Sequence, residues 1–125
     1  MSEIINPQDA ELEEIILGSC LIESKAITLI ADILRPEAFY NEKNLEIYAT
    51  LQSMYRNGQK IDIITVKEEL ARRGKLEFIG GPYTLAHISG RVASSAHLEY
   101  HARILKQKYI RRETILGFHK LLALA

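Results

Sequence analysis

The last quarter of the chain runs without the residues that normally end a helix. Between Ser94 and Ala125 there is no proline, and Gly117 is the only glycine. At 1.5 Å per residue, a helix over these positions is about 45 Å long. A domain made from the residues before it is only about 26 Å across. Part of the helix therefore has to project, and we expect a helical globule with one protruding arm.

The arm is apolar on more than one side of the helix. Its apolar side chains are Tyr109, Ile110, Ile115, Leu116, Phe118, Leu121, Leu122 and Leu124. A helix of this kind needs more than one neighbour. It either folds back onto residues 1–95 or forms a hairpin or a dimer surface. The sequence also stops at Ala125 without a cap or a polar tail, so we expect a piece that is cut inside a helix.

The first half of the chain predicts three helices. Asn6-Pro7 has the pattern of an N-cap followed by proline at the first helical position. Acidic residues after it favour the positive end of that helix; they are Asp9, Glu11, Glu13 and Glu14. A second helix is expected over 25–34 and a third over 41–56. The inward residues of the second helix are Ile27, Ile30, Ala31 and Leu34, and those of the third are Leu45, Tyr48, Leu51, Gln52 and Tyr55.

Residues 61–66 taken alone resemble a β-strand, but the residues after them favour a helix. Asp62 is a good cap residue, and Thr65 and Glu68 have the spacing of a capping box. Later, Gly80-Gly81-Pro82 predicts a turn followed by a short helix, and Ser94 or Ser95 is expected to cap the long helix. The predicted fold is all-α, with about five to six helices in a globular subdomain over 1–93 and the long helix over 94–125.

The net charge is zero, but the charges are unevenly distributed. Residues 1–50 hold ten acids and three bases, whereas residues 51–125 hold six acids and thirteen bases. The chain lacks the overall basic excess that is typical of a nucleic-acid-binding domain. Such a dipolar molecule is better suited to a protein partner or to a second copy of itself. A local basic run remains over 103–112, which is either a solvated helix face or a contact for DNA.

No pattern in the sequence predicts catalysis or ligand binding. The Gly-x-x-x-x-Gly-Lys-Ser/Thr motif of a phosphate-binding loop is absent, so we expect no enzymatic activity. His97 and His101 share a helix face but lack a third metal ligand. Cys20 lies on an apolar stripe, where a thiol acts as a small hydrophobe. The single cysteine and the absence of a signal peptide or membrane span predict a cytoplasmic protein.

Five groups of residues follow one another along the chain in a recognisable order. They are Pro7–Leu21; Leu34–Tyr40, with the pattern L-x-P-x-A-F-Y; Gly58, Asp62, Thr65-Val66 and Glu69-Leu70; Gly80-Gly81 with Leu85; and Ser94–Leu105. Together they resemble the N-terminal domain of bacterial DnaB-type replicative DNA helicases. Each group alone is a weak signal, but the order and spacing hold along nearly the whole chain.

The resemblance implies a non-catalytic part of a larger enzyme. The whole protein would be a hexameric, ATP-dependent helicase that unwinds DNA at the replication fork in the bacterial nucleoid. This part would be its N-terminal collar, a helical globule followed by a helical hairpin, and the long helix would be the first arm of that hairpin. ATP, Mg and DNA would bind a motor domain that is absent here, so no cofactor is expected in this chain and no membrane contact.

The resemblance also implies partners and the surface that meets them. Hairpins would pair between subunits to give dimers and then the hexamer, and the collar would bind the C-terminal domain of primase, with a helicase loader as a further partner. We expect the interface residues to be Tyr83, Arg103, Ile104, Lys108, Arg112, Ile115, Leu116 and Leu121. The alternative function is a direct DNA-binding helical module that uses the basic run 103–112.

Overall fold

The computed structural model describes residues 9–124, and every regular element within this range is helical. The elements in chain order are α1 (Ala10–Ile22), two short 3₁₀ helices η1 (Ala26–Leu29) and η2 (Pro36–Ala38), α2 (Glu42–Arg56), α3 (Ile63–Arg72), α4 (Pro82–Gly90) and α5 (Leu98–Leu124). The all-α prediction is confirmed. The predicted helix start at Asn6-Pro7 lies outside the described residues; the described helix is capped by Asp9, which accepts a hydrogen bond from the Leu12 N–H.

One hydrophobic core joins these elements, and α1 and α2 lie at its centre. α1 packs against α2, α4 and the first half of α5. Ile16, Leu51 and Tyr48 are among its fully buried residues, and the Tyr48 ring stacks on Phe39 with 4.7 Å between centroids. Complete burial of such a side chain contributes about 1.5–3 kcal/mol relative to exposure. Tyr55, which was expected to point inward, is exposed at the end of α2.

The prediction of a continuous helix over 25–34 is wrong, although the residues predicted to point inward are buried. The segment forms η1 and then irregular turns, and Ile27, Ile30, Ala31 and Leu34 are buried as expected. β-branched residues lower helix propensity here. Side chains of α2 also bind the carbonyl groups: the Tyr48 hydroxyl donates to Leu34 O, and the Gln52 amide donates to Ala31 O.

The choice of helix over strand for residues 61–66 is confirmed by α3, but its predicted capping box is wrong. Asp62 caps the helix by accepting a hydrogen bond from the Thr65 N–H at 2.9 Å, and the Thr65 hydroxyl accepts one from the Asp62 N–H at 2.9 Å. The reciprocal pair is therefore Asp62 and Thr65 rather than Thr65 and Glu68. The hydrogen bond from the Thr65 N–H is the main cause that holds the pKa of the Asp62 carboxyl below its usual value.

The long helix starts at Leu98, four residues after the predicted first residue, 94. The Leu98 N–H donates to Ser95 O at 3.1 Å and the Ala96 N–H donates to Ser94 Oγ, so both candidate caps lie in a turn that precedes the helix. Gly117 lies inside α5 and does not interrupt it. The division of the chain at residues 93 and 94 stays a prediction.

The close approach of α1 to α4 depends on Gly18. A Cβ atom at this position would lie 2.6 Å from Ile88 O and 2.7 Å from a methyl carbon of Val92. At the end of α4, the Arg91 guanidinium binds Glu14 at 2.6 Å and Glu11 at 3.2 Å, both on α1. Any larger residue at position 18 would separate the helices and weaken these contacts.

We predict that Gly18→Ala lowers the free energy of unfolding by about 1–3 kcal/mol, because the new methyl group overpacks the α1–α4 contact. Gly117→Ala is the matched control, since it is also a helical glycine and has no atom within 4 Å of its Cβ position. There the substitution should stabilise α5 by about 0.5–1 kcal/mol. Urea denaturation measures both, and a neutral or stabilising Gly18→Ala would contradict the packing described here.

Candidate interface on the long helix

The first half of α5 belongs to the core of the globule. Leu98, Ala102 and Leu105 are buried and follow one another at helical spacings of four and three residues. This stripe packs on α1, η1 and η2. The same spacing continues to Tyr109, which is half-buried against the core, and to Arg112. We call these five residues the α5 seam.

The second half of α5 presents apolar side chains to solvent. Within 113–124 no side chain is buried, and only Ile115 is half-buried. The exposed apolar residues of α5 from position 110 onward are Ile110, Leu116, Phe118, Leu121, Leu122 and Leu124. At 100° per residue Leu116 continues the α5 seam, whereas Phe118 and Leu121 lie about 160° and about 140° from Leu116 around the helix. An apolar surface on several sides of one helix marks an interaction site.

The predicted interface residues fall into different environments. Leu116 and Leu121 are exposed on the distal half, and Ile115 and Lys108 are half-buried. Ile104 is half-buried because it packs against the core. The structure thus gathers the distal members of the set on one exposed segment but not the proximal ones.

Arg112 needs a correction, because it is not an exposed contact residue. Only 4% of it is accessible. Its guanidinium donates to Ala38 O at 3.3 Å and lies over the rings of Tyr40 and Tyr109 at 5.2 and 5.5 Å. The planar cation is buried here because a carbonyl and two aromatic faces take the place of water. In this chain Arg112 is an intramolecular contact.

The basic run 103–112 is accordingly weaker than the sequence indicates. Arg103 binds Glu99 one turn away at 2.9 Å, and Arg112 is buried. Lys106 and Arg111 are exposed, and Lys108 is half-buried. Two of the five cations are therefore already engaged within the chain.

Tyr83 lies on a different part of the molecule from the distal half of α5. It is in the first turn of α4, which packs against α1 and α3. Its ring is 76% exposed and stacks on His87 with 6.0 Å between centroids. A cleft of about 230 Å³ beside it is lined by Lys43, Asn44 and Thr84, among others. The predicted set therefore divides into two surfaces.

Glu13, one of the acids predicted at the start of the first helix, is also buried and ties α1 to the start of α2. Glu13 Oε2 accepts a hydrogen bond from the Tyr40 N–H at 2.7 Å, and Oε1 accepts one from the Asn44 side-chain amide at 3.0 Å and a longer one from the Asn41 N–H at 3.4 Å. Burial raises the pKa of Glu13, although these bonds and the charge of Arg112 oppose the rise. The sequence held a signal, because position 13 lies at the helical spacing of the buried Ile16, Leu17 and Cys20.

The other candidate groups are placed as follows. Cys20 is buried, and desolvation raises the pKa of its thiol to about 12. The ring centroids of His97 and His101 are 6.3 Å apart.

Across residues 9–124, no three His, Cys, Asp or Glu side chains are grouped as metal ligands would be. Over the same residues, none of the helices combines the length and apolar character that crossing a bilayer needs.

This fold and surface define a small helical module, in which a globule carries a projecting helix with exposed apolar side chains. A family model described as "DnaB-like helicase N terminal domain" matches residues 5–107. The chain therefore belongs to the family of DnaB-like helicase N-terminal domains.

Relatives and solved structures agree with this assignment. The chain is 43% identical over 108 residues to the replicative DNA helicase DnaB of Rhodothermus marinus and 34% identical over 119 residues to the replicative DNA helicase DnaC of Bacillus subtilis. The two matches include 86% and 92% of this chain, but only 12% and 26% of the two relatives, respectively. The chain thus spans only a small part of the length of these relatives, and the matching family is that of their N-terminal domain.

Two solved structures share the fold. The N-terminal domain of DnaB helicase from Mycobacterium tuberculosis matches with a TM-score of 0.90 and 31% identity, over 95% of this chain and 86% of that one. A structure described as a DnaB-like replicative helicase and its interactions with primase matches with a TM-score of 0.80 and 29% identity, over 92% of this chain and 27% of that one.

We predict that Glu13→Ala lowers the free energy of unfolding by about 1–3 kcal/mol, because buried N–H donors lose their acceptor. The native pKa is raised, so the folded state binds the proton more tightly than the unfolded state. The contribution of Glu13 is then complete below the usual pKa of 4.5 and declines as pH rises through the native value. Urea denaturation from acidic to neutral pH measures this trend.

Glu11→Ala is the matched control, since Glu11 is also an acid in the first turn of α1 but is exposed. It should change the free energy of unfolding by less than about 0.5 kcal/mol. Equal losses in the two variants, or a Glu13→Ala loss that grows with pH, would contradict the role assigned to Glu13.

Proposed function

We propose that this chain is the N-terminal collar domain of a replicative DNA helicase, where it holds subunits together and docks primase without catalysing a reaction itself. The observation that carries this proposal is the distal half of α5, which exposes apolar side chains on several sides. A monomer with such an arm has an exposed apolar surface that a second helix would cover.

The partner that covers the apolar surface of the distal half is a second copy of this chain. Each large apolar side chain that becomes buried there contributes about 1.5–3 kcal/mol, and residues 113–124 offer several. The acidic first half and the basic second half of the chain also favour contacts between copies. Paired arms would lead to dimers and, in the whole protein, to the hexamer.

We predict that Ile115→Asp combined with Leu121→Asp weakens self-association at least tenfold while helicity is retained. If the arms paired, the two carboxylates would be buried in an apolar contact. Burial of these charges is so unfavourable that the contact should not form. Thr114→Asp with His119→Asp adds the same number of carboxylates at exposed polar positions and is the control. Sedimentation equilibrium and far-UV circular dichroism measure association and helicity. Loss of the whole fold in the first variant would instead favour an arm that folds back.

The docking surface for primase is assigned to Tyr83 and the cleft beside it. An exposed aromatic ring on a rigid helix, next to a cleft, has the character of an interface anchor. One structural relative carries primase in its description, which supports the same partner for this chain. The C-terminal domain of primase is the part expected to bind.

We predict that this chain binds the C-terminal domain of its cognate primase and that Tyr83→Ala weakens the binding at least tenfold. Loss of a large aromatic anchor has an effect of this size. Tyr100→Ala is the control, since Tyr100 is also exposed but lies on α5. Calorimetric titration, with light scattering on each sample, measures affinity and oligomeric state together. Equal affinities of the two variants for primase would show that Tyr83 is not part of the docking surface. If samples that self-associate do not bind primase at all, primase docking is not a function of this chain.

The remaining roles belong to the whole protein. We propose that it is a hexameric, ATP-dependent helicase of bacterial DNA replication, and that ATP, Mg and DNA bind a motor domain rather than this chain. A helicase loader is a further partner of the assembled ring. The compartment that follows is the cytoplasm, at the nucleoid where replication takes place.

Direct DNA binding by the run 103–112 has less support, because Arg103 and Arg112 are engaged within the chain. A salt titration on single-stranded and forked DNA separates the two functions. Tight binding that falls steeply with salt would favour the DNA-binding module.

A further inference from the structure

Arg112 occupies an unusual position on α5. It follows Leu98, Ala102, Leu105 and Tyr109 on the α5 seam and is the last buried residue of the helix within the described part of the chain. Up to this point the seam is held by apolar contacts or an aromatic ring. At Arg112 a guanidinium takes the position where the spacing calls for an apolar side chain.

The contacts of Arg112 join α5 to two other elements. Its guanidinium donates to Ala38 O, which belongs to η2, at 3.3 Å. It also lies 5.2 Å from the Tyr40 ring, in the segment that leads into α2. The Tyr40 N–H is in turn held by Glu13 of α1 at 2.7 Å. One side chain on α5 thus contacts η2 and the segment that leads into α2, and through Tyr40 it is linked to α1.

These contacts are directional, unlike the apolar contacts before them. A guanidinium donates in the plane of a fixed fork and stacks on aromatic rings with its face. Apolar side chains pack with little preference for direction and tolerate small rotations of the helix. Arg112 therefore restricts the tilt of α5 more than another leucine at this position would.

We propose that Arg112 is a positioning residue, which fixes the direction in which the distal half of α5 leaves the globule. The inference rests on the proposed self-association, because the direction of the arm decides whether two arms can meet. Arg112 does not touch the partner in this account. It acts through the helix on the exposed residues beyond it.

The length of the arm amplifies any change in tilt. Leu105 is the preceding buried contact, and Leu124 lies about 28 Å beyond it at 1.5 Å per residue. A tilt of about 15° around Leu105 would move the tip by about 7 Å over this length. A displacement of this size is close to the distance of about 8–10 Å between the axes of two packed helices.

The experiment measures the direction of the arm in the monomer. Spin labels are attached at Gln59→Cys on the globule and His119→Cys on the arm, both exposed positions. Cys20 stays unlabelled because it is buried and its pKa is raised to about 12. Double electron–electron resonance, at a concentration below self-association, then gives the distribution of distances between the two labels.

We expect Arg112→Met to shift or broaden this distribution by several ångströms, with the globule still folded. Arg112→Lys keeps the charge but lacks the planar fork, so it should restore the distribution only in part. Arg111→Met is the matched control, since its side chain is exposed on the same turn, and it should leave the distribution unchanged. Self-association should weaken in Arg112→Met although every distal side chain is intact.

An unchanged distribution in Arg112→Met would overturn the proposal. Loss of the cooperative thermal transition in both Arg112→Met and Arg112→Lys would also overturn it, because Arg112 would then be required for folding itself. The distance measurement is made on monomers, so a shifted arm without any self-association would leave the positioning role standing and would count against the proposed function alone.

Discussion

The α5 seam is the contact on which the rest of the molecule depends, because it packs the first half of α5 against the globule while the second half extends into solvent. Leu98, Ala102 and Leu105 are buried against α1, η1 and η2, so the first half of α5 completes the core of the globule. The same helix then continues into solvent with large apolar side chains exposed. The globule holds the arm, and the arm presents a surface that the globule cannot cover.

A buried polar network surrounds the point where the helix leaves the globule. Glu13 accepts a hydrogen bond from the Tyr40 N–H in the segment that leads into α2, and Arg112 lies over the Tyr40 ring. Buried charges of this kind contribute little net stability but restrict geometry when their hydrogen bonds are satisfied. In the proposed function this property matters, because a defined angle between globule and arm lets identical copies repeat one contact. The acidic and basic halves of the chain add a preference for such contacts.

Much of the fold follows from local signals in the sequence, and the failures have physical causes. The cap at Asp62 and the uninterrupted run after Leu98 predict α3 and α5 well. The segment 25–34 was misjudged because its carbonyl groups are bound by Tyr48 and Gln52 of a distant helix. The charges of Arg112 and Glu13 give no local signal of their burial, because their partners are far away in sequence. Side-chain burial at a charged position depends on tertiary contacts, which periodicity alone does not reveal.

The measurement that tests the central claim most directly is hydrogen exchange of the α5 amides at a series of protein concentrations. We predict that amides near Leu105 are protected at every dilution, since that part of α5 is buried in the globule. Amides over 113–124 should exchange rapidly in the monomer and become protected as the concentration rises. Strong protection of 113–124 at all dilutions, or none at any concentration, would contradict an arm that is covered by a second copy of the chain.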